Sequence, residues 1–272
     1  MSVVAGCGLH TGSLGSVRFS LRGGPVVVRA AGVEVAVSDL RVVDTSRSTT
    51  VADPRGSVRI STVEHVFAAL GGLGIHSGVL VELEGLEPPL ADGGALRYVD
   101  ALRALGPRLV RSRSPLRIAR DGVVEIAESR YELMRGAEDD AVAIEVVVDF
   151  GDARIAREAR WDGHPDDFRA RIATARTFGF EHELGDLLAR GLASHVTPES
   201  VVVFTKEHVL SSGAPVAADE AARHKLLDLV GDLYVHGGPP RGRIRATRPG
   251  HAATHAMMAR AVDEGLVVRD DR

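Results

Sequence analysis

The segment RHKLLDLVGDLY, residues 223–234, carries His224, Asp228 and Asp232 at i, i+4 and i+8 in an otherwise largely apolar run. On a helix of 3.6 residues per turn, successive members of this set lie about 40° apart and one turn along. Leu226, Leu229, Val230 and Leu233 cover much of the remaining surface, so the stripe sits among apolar neighbours. A carboxylate in such a place needs a partner, because a lone buried charge is strongly unfavourable. A divalent metal satisfies both groups, and imidazole with carboxylate oxygen at this spacing suits Zn2+. A local His–Asp hydrogen bond or a solvated helix face fits the same spacing. Lys225 lies inside the segment, in a chain whose only other lysine is Lys206. Its compact ammonium is a reason to use lysine where arginine is otherwise preferred; chance placement accounts for it equally well.

Two further histidines stand at helix starts. His65 directly follows Glu64 in ISTVEHVFAALGGLGI, residues 60–75. Ser61 and Glu64 have the S-x-x-E spacing of a capping box, which would point the Glu64 carboxylate back to the Ser61 amide. That duty competes with any role as a base; if Thr62 is the N-cap instead, Glu64 is free of it. His251 opens the last helix in PGHAATH, and with His255 it forms a second i, i+4 pair, a rival metal pair. For His255 a place on the helix face is the simpler expectation.

The elements that position these residues follow from hydropathy. VRFSL, PVVVRA, VEVAV and VLVELEGL predict strands, with a helix that starts at the Ser61 box and ends at Gly71-Gly72 and another in LRYVDALRAL. In the second half VVEIAES, YELMRG, AIEVVVDF and VVVF predict strands. Pro165 to Ala175, the 223–237 segment and HAATHAMMARAVDEG predict helices. Each half thus gives strands and then an apolar helix with a histidine near its start, so His65 and His224 hold corresponding places. This echo predicts an α+β fold of two similar domains, each a sheet packed with helices. The polar, Arg-rich connector GPRLVRSRSPLR, residues 106–117, predicts the boundary, with a first domain at 1–110 and a second at 111–272.

Composition narrows the function. The chain has 272 residues, a net charge of −4, 44% hydrophobic and 26% charged residues. These values suit a soluble globule and give no support for broad nucleic-acid or membrane binding. Cys7 is the only cysteine, so no intrachain disulfide forms, as in a reducing compartment. No run approaches the ~18 apolar residues of a membrane span, and the opening MSVVAGC lacks the basic start and apolar core of a lipoprotein signal. The expectation is a cytoplasmic monomer acting on a small molecule, with no nucleic-acid partner and no stable membrane insertion.

In chain order, GLHTG (8–12), RISTVEHVFAALGGLGI (59–75), PPLADGG (88–94), ARTFGFEHEL (175–184), RHKLLDLVGDLYVHG (223–237) and PGHA (249–252) span nearly the whole sequence. Together they make the chain resemble the UDP-3-O-acyl-N-acetylglucosamine deacetylases, the zinc enzymes of lipid A synthesis. The resemblance implies two similar α+β domains facing each other across the active site, with metal ligands His65, His224 and Asp228 and with Glu64 as general base. It implies His251 as general acid or electrostatic partner, oriented by Asp232, and Thr177 as a donor to the developing oxyanion. Lys225 would bind near the substrate's polar groups, Phe178 would line the site, and Arg248, where the family has lysine, would meet a phosphate. Three protein ligands leave one zinc position open, as in a catalytic site. The implied substrate is an acylated UDP-amino sugar, and the implied reaction releases acetate.

Some segments depart from the family pattern. GHALNN becomes GHAATH, and ASHVTPESVVVF replaces a glycine-rich stretch. The family builds an apolar acyl passage from an insert in the second domain; residues 127–170 here are short, heavily charged and show no such passage. A zinc amidohydrolase acting on another N-acetylated sugar nucleotide, a non-catalytic ligand-binding paralogue and a structural protein with buried His–Asp pairs fit the same residues less completely.

Overall fold

The computed structural model describes residues 3–106, 111–112, 114–137, 141–183, 200–212 and 214–270. Two five-stranded sheets dominate it. In the first, the spatial order is Val3–Cys7, Leu14–Pro25, Ser77–Glu84, Val27–Ala30, Val33–Ala36. In the second it is Gly122–Ile126, Ser129–Met134, Gly242–Thr247, Val142–Val147, Glu158–Trp161. Numbered within each half, both read 1-2-5-3-4. In both, strands 3 and 5 pair in parallel while the other neighbours pair antiparallel. The expected echo between the halves therefore extends to topology and strand direction.

Alternation decides which face each sheet buries. Val17 and Phe19 are buried around exposed Arg18, and buried Ile244 and Ala246 alternate with exposed Arg243 and Arg245. The inward faces pack on helices placed alike in the two halves: α1 (Glu64–Gly72) and α2 (Leu96–Arg103) flank the fifth strand of the first sheet. The helices α3 (Glu220–Val235) and α4 (His251–Asp263) flank that of the second. Every residue of α1 is buried, and so is all of α3 except Arg223 and Lys225. The two helices pack directly on each other. A Cβ at Gly231 would stand 2.0 Å from the Glu64 carbonyl oxygen, so only glycine allows this approach. One hydrophobic core runs through both sheets and both central helices.

Three expectations change. The Ser61–Glu64 capping box does not form: α1 begins at Glu64 after Val63, with no side-chain cap. Thr62 instead has a left-handed backbone, φ 54°, and its hydroxyl donates to Glu87 at 2.7 Å. The helix expected from Pro165 to Ala175 is a single turn at Pro165–Asp167 followed by a wider π-type turn at Phe168–Ile172. The connector is more than a solvated linker: Leu116–Ile118 forms a strand antiparallel to Val267–Arg269, tying the start of the second half to its end. The boundary expected at 110/111 falls where residues 107–110 lie outside the described residues. No described helix is long and apolar enough to cross a membrane.

Candidate metal centre and active site

The crossing of α1 and α3 brings the two repeated histidines together. The rings of His65 and His224 are 5.1 Å apart and nearly perpendicular. Asp228, one turn beyond His224, places Oδ1 at 3.4 Å from His224 Nε2 and 3.8 Å from His65 Nε2. The three ligand atoms lie within 4.8 Å of one another, the only such buried cluster found among the described residues. The Nδ1 of His224 is 3.0 Å from the Ala175 carbonyl, so Nδ1 carries the proton and Nε2 faces the cluster with its lone pair. This is how metal-binding histidines are commonly oriented. The Lys225 ammonium donates to Asp228 Oδ2 at 2.7 Å, which leaves Oδ1 for the cluster.

Electrostatics favours ligation. Burial pushes the His65 imidazole down to about 3 and also lowers His224, keeping both rings neutral. Burial alone would raise Asp228, but the charged Lys225 ammonium, with the protonated His251 ring, holds its carboxyl well below the usual carboxylate range. Two neutral imidazoles and one carboxylate, all buried, match a zinc site with an open position.

Two acid–base groups flank this cluster. Glu64 is fully buried, and burial pushes its carboxyl up to about 8. Its Oε2 accepts the Thr49 backbone N–H at 3.0 Å, so the carboxylate is turned to the site and not to a helix cap. His251 points Nδ1 at Asp232 Oδ2, 2.9 Å away. Burial alone would lower His251, but the Asp232 carboxylate overrides it and raises the imidazole to about 9. Asp232 is in turn held well below its ordinary value against burial, chiefly by His251.

The other expected residues are spread around this centre. Thr177 begins the strand Thr177–Phe180 and fixes its own position by donating its N–H to the Gly93 carbonyl at 2.8 Å. PPLADGG supplies that seat: Cβ atoms at Gly93 and Gly94 would lie 1.8 Å from Ser200 O and 2.5 Å from Ala173 O. The Phe178 ring stands 6.0 Å from that of His224, edge to face. Arg248 is not brought to the cluster; half its side chain is exposed, and its guanidinium lies 3.5 Å from Glu128 and 4.0 Å from Asp149.

Sequence reasoning gave no role to several residues that build the site. Thr49 donates its hydroxyl to Asp232 Oδ1 at 2.6 Å while its N–H holds Glu64, so one threonine ties both acid–base groups. Glu87, buried, accepts from the Thr11 hydroxyl and N–H at 2.9 Å and from Thr62, pinning GLHTG beside the entry to α1. In that loop both ring nitrogens of His10 are buried without a hydrogen-bond partner. Arg176 bonds Glu220 at 2.7 Å, joining the Thr177 strand to the first residue of α3. His255 sits on a buried face of its helix against Asp232, and no metal-holding group of three or more that includes it with His251 is found among the described residues. An apolar patch does lie near the cluster, and the charged 127–170 region contributes to it: Phe150 and Ile155 pack with Phe178, Phe180, Phe204 and Val202. Of ASHVTPESVVVF, residues up to 199 lie outside the described residues.

A family model described as "LpxC: UDP-3-O-acyl N-acetylglycosamine deacetylase" matches residues 1–263. A UDP-3-O-acyl-N-acetylglucosamine deacetylase of Phenylobacterium zucineum (strain HLK1) is 36% identical over 270 residues, covering 94% of this chain and 89% of that protein. The protein of the same name from Myxococcus xanthus (strain DK1622) is 32% identical, covering 95% and 83%. That from Shewanella loihica (strain ATCC BAA-1088 / PV-4) is 34% identical, covering 95% and 86%.

Proposed function

The chain belongs to the family of UDP-3-O-acyl N-acetylglycosamine deacetylases, and from that premise we propose that it hydrolyses the N-acetyl group of UDP-3-O-acyl-N-acetylglucosamine, giving UDP-3-O-acyl-glucosamine and acetate in lipid A biosynthesis. The observation that carries the reading is the convergence of His65 from α1 with His224 and Asp228 from α3, flanked by Glu64 and the His251–Asp232 pair.

His65 Nε2, His224 Nε2 and Asp228 Oδ1 would hold Zn2+. When bound, the metal supplies Lewis acidity to the acetamide carbonyl and to the attacking water. Glu64 accepts the proton of that water, with its carboxylate kept in place by the Thr49 N–H. The Thr177 hydroxyl donates to the oxygen on which negative charge develops. His251, protonated and held at Nδ1 by Asp232, delivers its Nε2 proton to the leaving amine. Lys225 binds near polar substrate groups and, through Asp228 Oδ2, orients a ligand. Phe178 and its aromatic neighbours offer apolar surface to the acyl chain. Arg248 meets a phosphate by exchanging Glu128 and Asp149 for it. The division of the chain at 110/111, action as a cytoplasmic monomer, and the lack of a nucleic-acid partner or membrane insertion belong to the same reading.

Release of acetate from UDP-3-O-acyl-N-acetylglucosamine by the purified chain tests it, run with zinc, with chelator and with zinc restored. Turnover that stops with chelator and returns with zinc is the expected result. A chain that holds one zinc and leaves this substrate intact would overturn the substrate assignment; the sugar nucleotide lacking the 3-O-acyl group is then the substrate to assay.

A further inference from the structure

The deacetylase reading uses one side of Asp232, but a second imidazole branch reaches the same carboxylate. Asp232 Oδ2 takes His251 Nδ1 at 2.9 Å, while Oδ1 receives the Thr49 hydroxyl at 2.6 Å. The Nε2 of His255 lies 3.0 Å from Thr49 Oγ1 and 3.5 Å from Asp232 Oδ1. The Nδ1 of His255 lies 2.9 Å from His236 Nε2. His236 and His255 together line a cavity of about 700 Å³ whose other walls include Arg41, His76, Tyr234 and Arg269. The branch therefore runs from the His251–Asp232 pair to a cavity lined by none of the ligands, Glu64 or His251.

Proton bookkeeping gives the branch a direction. An ionised Asp232 only accepts, so His251 Nδ1 and Thr49 Oγ1 both donate to it. Thr49 has one hydroxyl hydrogen and spends it there; its oxygen can then only accept, so His255 Nε2 carries a proton aimed at Thr49 and Asp232. The remaining contact, His255 Nδ1 with His236 Nε2, holds one proton that either ring can own. In either ownership the pair presents a donor, neutral or cationic, to the carboxylate.

We propose that His255 and His236 are positioning residues that tune the acid strength of His251 through Asp232. A carboxylate that already receives Thr49 and the His255 branch pairs less tightly with imidazolium, because its charge is shared among several donors. His251 then gives up its proton more readily to the leaving amine. The groups facing the branch are His251, one turn before His255 on α4, Asp232 and His236 on α3 or its end, and Thr49. Arg41, His76, Tyr234 and Arg269 face it around the cavity. The nearby hydroxyl of Tyr131 is engaged with Thr254 at 3.0 Å. The inference rests on the general-acid reading of His251.

The test follows the His251 midpoint by imidazole NMR on the zinc-loaded chain, alongside the pH profile of acetate release. His255→Leu should raise the midpoint by roughly one pH unit, the scale of one hydrogen bond to a charged group. It should move the alkaline limb of the profile up with it and lower kcat with KM nearly unchanged. His255→Asn, which keeps a donor but loses His236, should give a smaller shift of the same sign. His236→Phe, at the cavity wall, should do likewise even if His255→Leu fails to fold. A wild-type midpoint and limb in folded His255→Asn and His236→Phe would overturn the proposal. NMR shifts in a chain that releases no acetate would uphold the tuning and overturn the deacetylase reading instead.

Discussion

Gly231 of α3 lies directly against the backbone carbonyl of Glu64 at the start of α1, where a Cβ would come within 2.0 Å of the oxygen. His65 is the next residue along α1, and Asp228 lies one turn before Gly231. The glycine therefore sets the separation of the histidines supplied by the two halves. Gly231→Ala should cost about 1–3 kcal/mol of stability, the usual range for overpacking a core. It should also weaken zinc binding, because His65 moves away from His224 and Asp228. Denaturant unfolding and a competitive zinc titration check this; wild-type values in both would mean that the helices separate at no cost to the site.

Asp228→Ala removes the carboxylate that, among the described residues, faces both histidines, and it leaves the Lys225 ammonium without its partner. Zinc affinity should fall by more than the roughly 10–100-fold typical of losing an outer hydrogen-bond partner of a ligand. Turnover should vanish. Full activity in this variant would show that Asp228 is not a ligand.

Glu64→Gln should keep zinc and the fold, since Glu64 caps nothing and an amide oxygen can still accept the Thr49 N–H. The loss should appear in kcat, by about 10²–10⁴-fold, the scale of general acid–base catalysis. The opposite pattern, a lower unfolding midpoint with the rate intact, would restore the helix-cap role that the sequence spacing first suggests.

His251 binds its proton up to about pH 9, above the ordinary histidine value of 6.5. With the folded value raised, its pairing with Asp232 contributes stability that is fully present below about pH 6.5 and is lost as pH rises through about 9. Activity that needs the protonated ring should decline over the same alkaline interval. His251→Gln should lower kcat and abolish that limb. A limb that persists in the variant belongs to another group.

The sequence made the buried His65–His224–Asp228 cluster legible because helical spacing and family motifs both mark it: His224 and Asp228 share a helix face, and His65 repeats the place of His224. It could not show how α1 and α3 cross, since Gly231 reads as an ordinary interruption until Glu64 is seen against it. Thr49 was invisible for a different reason. It lies in the polar run DTSRSTT, where no periodicity distinguishes one hydroxyl from the next, and its importance comes from contacts distant in sequence. Ser61 and Glu64 have capping-box spacing, but the left-handed Thr62, anchored on Glu87, takes the backbone out of that geometry. The pattern places His255 on a helix face without saying which one; the packing of α4 against α3 makes it a buried one.

The shared 1-2-5-3-4 strand order extends to the residues that meet between the two central helices. Aligned on His65 and His224, Gly72 and Gly231 also coincide, and neither has room for a Cβ. Ala69 stands where the second half has Asp228. The repeat therefore supplies one imidazole from each half, whereas the carboxylate breaks it and comes from the second half alone. The two halves are equal as scaffolds and unequal as donors.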